Sequence, residues 1–162
     1  MMKIPILIIS TTLLLSSAQA QTPASKEITM HAKGSFDVRV LPQKPDNPQE
    51  EKAGIGRMSL DKQFHGDLEG QSDGEMLSFM TDVKGSAGYV AIERVTGKLN
   101  GHSGSFVLQH DATMTRGTPQ MNIVVVPDSG TGELAGISGS LTITIIEGKH
   151  FFEFDYSLPP QK

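Results

Sequence analysis

The 162-residue sequence contains no cysteine and no tryptophan, and only two tyrosines. Without cysteine there is no disulfide framework, no thiol chemistry and no lipid-anchored form of an export signal. Aromatic residues make up 6% of the chain, too few to suggest a sugar-stacking surface. Basic clusters are missing as well, and the formal net charge is −4. Nucleic acid and anionic membrane surfaces are therefore poor partners. What remains, 37% hydrophobic and 20% charged residues, suits one globular domain and excludes collagen-like or strongly disordered chains.

Lys3 followed by the apolar run Ile4 to Leu15 and the small residues of Ala18-Gln19-Ala20 predicts a secretory leader cleaved after Ala20. A stable membrane anchor would need about 20 apolar residues, and this run stops short. The expected mature chain is exported to the periplasm or secreted. It has a flexible tail over 21–27 and a single domain over 28–158. Losing Lys3 moves its net charge from −4 to −5. Such a chain can bury a core without cross-links, since about two-thirds of its surface is removed on folding.

The rest of the chain reads as strands. Ile28, Met30, Ala32, Gly34, Phe36, Val38 and Val40 hold every even position, the period of a half-buried strand. Pro42, Pro45 and Pro48 mark 41–54 as a loop. Alternation resumes through Met58, Leu60, Phe64 and Leu68, with Lys62 on the apolar face. Strands are further expected over 75–83, 89–99, 105–115, 120–126, 133–137, 141–146 and 150–158. Asn100-Gly101 and Glu147-Gly148 supply hairpin turns. About eight strands with no convincing helix predict an all-β fold, an antiparallel barrel or a sandwich.

Parity identifies the interior. An even loop after Leu99 places Tyr89, Ala91, Glu93 and Val95 on one face with Phe106, Leu108, His110 and Met114. The last hairpin likewise joins Leu141, Ile143 and Ile145 to His150, Phe152, Phe154 and Tyr156, leaving Phe151 outside with Val90 and Ile92 of the earlier one. The buried face thus carries Lys62, Glu93 and His110 among apolar residues, and buried charges must find one another or water. Glu93 falls opposite His110 with a four-residue loop and diagonal to it with a two-residue loop. Either they orient a ligand in the interior, with Tyr89 and Tyr156 as further candidate contacts, or they form a core pair that fixes register.

Other signals carry less. Gly70-Gln71-Ser72-Asp73-Gly74 matches a nucleophile elbow in letters, but lacks the strand, sharp turn and helix of that device, and reads as a β-turn. Histidines 31, 65, 102, 110 and 150 show no metal-ligand spacing, so no metal is expected. The glycine-rich stretch 130–139 has no phosphate-loop lysine, and no cofactor is implied.

Four blocks are distinctive: Phe64 to Gly70, Gly88 to Gly97, Gly101 to His110 and Ser129 to Gly136. Together they resemble an uncharacterised bacterial domain-of-unknown-function family, mostly cytoplasmic, across about 34–158. That resemblance implies a closed eight-stranded antiparallel barrel similar to allene oxide cyclase and dirigent proteins. Those proteins are oligomers that hold apolar or phenolic molecules in the barrel. No catalytic residue comes with the likeness. The resulting expectation is a binder of a small apolar ligand, with room for a homo-oligomer. The rival is a cyclase or isomerase using Glu93 and His110 as acid–base groups, and a third reading is a filled barrel with a structural or envelope-stress role.

Overall fold

The computed structural model describes residues 29–45 and 47–160. The leader over 1–20, its cleavage after Ala20 and the tail over 21–27 lie outside the described residues. Eight antiparallel strands follow one another around a closed barrel. They are β1 (Met30–Gln43), β2 (Gly56–Gly66), β3 (Leu68–Met80), β4 (Ala87–Leu99), β5 (His102–Thr115), β6 (Thr118–Val125), β7 (Ser138–Ile146) and β8 (Lys149–Ser157).

Register gives the barrel its shape. One row of paired residues runs from His31 through Asp155, Ser140, Val124, Gln109, Ile92, Glu75 and Ser59 to Leu41. It returns to β1 ten residues beyond its start. For eight strands that stagger means a tilt of roughly 40–45°, and an interior that side chains can fill or that can hold one small ligand. The β6–β7 seam is the thinnest part of the wall, joined among the described pairs at Val124 and Ser140.

The Asn100-Gly101 turn settles the parity question in favour of the two-residue loop. Both residues have positive φ, 48° and 87°, as a type I′ turn requires, and Leu99 pairs with His102. Alternation then buries Ala91, Glu93, Val95 and Leu99 with Phe106, Leu108 and His110. Inward glycines relieve the tightly coiled wall. Gly70 and Gly97 face each other across β3 and β4, and a Cβ on Gly97 would lie 2.2 Å from the Glu69 carbonyl oxygen. Gly97→Ala is expected to cost about 2 kcal/mol in urea denaturation, whereas Gly101→Ala, with open space around it, pays only for its positive φ.

Four local expectations are corrected. Residues 41–54 are not all loop: β1 continues through Pro42, which pairs with Met58, and α1 (Pro48–Ala53) is a short helix. Beyond Phe36 the strand has no partner on its β8 side, so a residue lacking an N–H is tolerated there. Gly70 to Gly74 is not a turn but the body of β3, whose start had been read as the tail of the preceding strand. An even alternation crosses the tight Asp67 turn without changing phase and hides the break. Residues 133–137 form no strand. Gly132–Leu134 is a 3-10 turn, and buried Leu134 and Ile137 close that end of the barrel. Ile145 keeps its parity with His150 but is 62% exposed, because the β7–β8 turn lies at the rim.

The two ends differ. Around the 3-10 turn, Leu68, Leu99, Phe106, Phe154 and Tyr156 are fully enclosed. Phe154 stacks between Phe106 and Tyr156, with centroids 5.6 and 5.2 Å away. Ser129 and Thr131 seal the β5 edge there with hydroxyl and backbone hydrogen bonds to Val107 and Ser105. At the opposite end the inward parity continues, but burial does not. Met58, Met76 and Tyr89 are half-buried, and Met114 and Met121 are 41% and 45% exposed.

Candidate functional site

Lys62, Ser72, Glu93 and His110 come from the middle of β2, β3, β4 and β5, and all point inward. Register builds the cluster. Lys62 pairs with Ser72, while Glu93 pairs with Leu108 and Ala91 with His110, so Glu93 and His110 are diagonal neighbours. The side chain of Glu93 is 0% exposed, that of His110 3% and that of Lys62 6%.

Glu93 is the hub. Its Oε1 accepts from Lys62 Nζ at 2.6 Å and from His110 Nε2 at 2.8 Å, and Oε2 accepts from Ser72 Oγ at 2.7 Å. Burial alone would raise the carboxyl, but the His110 hydrogen bond and the Lys62 charge outweigh it and hold Glu93 down to about 2. An ionised carboxylate only accepts, so His110 Nε2 carries the proton of that bond. The Lys62 ammonium also lies 5.0 Å from the Phe36 ring centre and 5.9 Å from that of Phe64, two further favourable contacts for a desolvated cation.

With both oxygens engaged and the carboxyl ionised far below neutrality, Glu93 is no proton donor at pH 7 and a weak base. Glu93 instead fixes the two groups around it. His110 keeps one ring nitrogen, Nδ1, to which no described residue donates.

The two tyrosines separate. Tyr156 is enclosed at the closed end, where its hydroxyl accepts from Asn100 Nδ2 at 2.9 Å, and it belongs to the packing, away from the cluster. Tyr89 sits at the open end, paired with Ala112 and Ser78. Burial raises its phenol, and the charges of Glu93 and Asp111 push the same way, so it stays protonated.

On the open side of the cluster two of the inward positions are alanines. Ala91 is paired with Met76 and His110, and Ala112 with Tyr89 and Met121. Two methyl groups thus stand among four long side chains. Ser72 escaped the reading of the sequence because its glycine-flanked segment resembled a turn. Even parity carried on from Leu68 would have placed it inside. Phe36 was placed inside, but not under an ammonium group.

The outer wall has its own relief. A groove of about 760 Å³ runs beneath α1, lined by Ile55, Leu77, Val90 and Ile92 with the Arg57–Glu75 ion pair at its side. Val90, Ile92 and Phe151 are exposed, as parity requires. Among the described residues no group of three or more His, Asp or Glu side chains is placed to hold a metal ion, and no helix is long and apolar enough to cross a membrane.

No curated protein matches the chain. A crystal structure of a protein of unknown function from Shewanella oneidensis MR-1, itself of the DUF3224 family, is 50% identical and superposes with a TM-score of 0.75. The match covers 82% of this chain and 100% of that one. The family model for DUF3224, a protein of unknown function, matches residues 32–156. With most of the barrel inside that match, the chain belongs to the DUF3224 family.

Proposed function

We propose that this protein is an exported barrel that holds one small apolar molecule at its open end, above the Lys62–Glu93–His110 floor. The observation that carries this reading is the break between parity and burial. Met114 and Met121 face inward by register yet are 41% and 45% exposed. In a filled barrel such positions close over one another, as they do at the other end. Flexible methionines suit a site that adapts to its occupant. Export rests on the leader-like run Ile4 to Leu15 and the Ala18-Gln19-Ala20 cleavage pattern.

Native mass spectrometry of protein purified gently from the exported fraction, set beside its denatured mass, tests the reading. A retained small molecule is the expected result, and a bare mass that persists after exposure to a mixed lipid and phenol library overturns it. Ala112→Leu should place a bulky side chain between Tyr89 and Met121 and abolish retention. Because Ala112 is only half-buried, the same change should shift stability by less than about 1.5 kcal/mol.

A further inference from the structure

We propose that the bound molecule is uncharged and donates a hydroxyl to His110 Nδ1, an inference that rests on the ligand reading above. His110 is 3% exposed, and its Nε2–H is committed to Glu93. In the neutral ring Nδ1 is then a bare acceptor, and no described residue supplies it with a donor. A buried acceptor in that condition is unusual in a folded protein. Every other polar atom of the floor with comparable burial has a partner. Both Glu93 oxygens are taken, the Ser72 hydroxyl donates to one of them, and Lys62 is held by Glu93 and two ring faces.

The charges around His110 argue against an anionic head group. Lys62 from β2 and Glu93 from β4 cancel at 2.6 Å. Tyr89 of β4 is a protonated phenol. The elements beside β5 otherwise present Ala91, Met121 and Ile123. A carboxylate or phosphate would enter a buried site with no net positive charge to receive it. An alcohol or phenol instead satisfies Nδ1 with its hydroxyl and lays its apolar body over Ala91 and Ala112 toward Met76 and Met121.

Matched ten-carbon probes test this. With the intact protein at pH 7.5, 1-decanol is expected to bind roughly tenfold more tightly than decane, the worth of one added hydrogen bond, and more tightly than decanoate. The preference over decane should fall to about one in His110→Gln. That variant can keep a donor on Glu93 but cannot reproduce Nδ1. A second readout needs no variant: the 15N resonance of Nδ1 in wild-type protein should move on saturation with decanol while the protonated Nε2 resonance stays in place. Tightest binding of decanoate, equal binding of decane and decanol, or an unmoved Nδ1 resonance at saturation each overturns the hydroxyl assignment while leaving an apolar site. Failure of all three probes, with an empty organic extract, removes the apolar site itself.

Discussion

Glu93→Leu is expected to lower the stability of the barrel by about 4 kcal/mol, because it strands a lysine that has lost its counter-charge in the interior. The side chain it replaces is fully enclosed and accepts three hydrogen bonds, from Lys62, Ser72 and His110. Leucine fills a similar volume but accepts none of them. Most of the loss is therefore the cost of what remains: an ammonium 6% exposed and a serine hydroxyl without an acceptor. That origin makes a second, sharper expectation. Lys62→Met in the same background removes the stranded charge, so the double variant should regain at least about 2 kcal/mol, and the two changes should be strongly non-additive. Urea denaturation of the four proteins in the cycle measures both quantities. A single-variant loss below about 1 kcal/mol, or additive losses, would mean that water compensates the cluster and that it does not organise the floor of the site.

The interior of this barrel was legible because strand periodicity is a strict rule and hairpin parity propagates it. Once Asn100-Gly101 is recognised as a turn, the inward positions of β4 and β5 follow for every residue, including two that chemistry would rather keep in water. Lys62 followed from alternation in its own strand. What parity could not reveal is distance around the barrel. Whether Lys62 reaches Glu93 depends on how β2, β3 and β4 are staggered, and that stagger is fixed by the Asp67 turn, which the unbroken even pattern concealed. Tyr156 illustrates the same limit from the other side. Its parity was right, but the strand tilt carries it to the closed end and out of the site. The difference between the two ends was illegible too, since both are apolar in sequence. Only closure by Leu134 and Ile137, in a segment that reads as a strand, leaves one packed and the other open.

A second large effect should appear in acid. Glu93 has an ordinary value of 4.5 and is held at about 2 in the folded protein, so the folded state favours the ionised form. The stabilisation this gives is complete above the unfolded value, shrinks as pH falls below about 4.5, and is spent once pH passes below the folded value near 2. Integrated over that interval it amounts to roughly 3 kcal/mol. Glu75 is also lowered, by its hydrogen bond with Arg57, but that pair is exposed and screened. Of the two described carboxylates held below their ordinary value, Glu93 is the buried one and contributes the larger share of the acid branch. Glu93→Gln should lie roughly 3 kcal/mol below wild type at pH 7 and nearly meet it at pH 2, with a flatter profile between. Denaturation midpoints taken from pH 7 to pH 2 for the two proteins decide it. Parallel curves would place the acid sensitivity in exposed carboxylates, and would mean that Glu93 does not sit in the folded barrel as the fixed charge that orients His110.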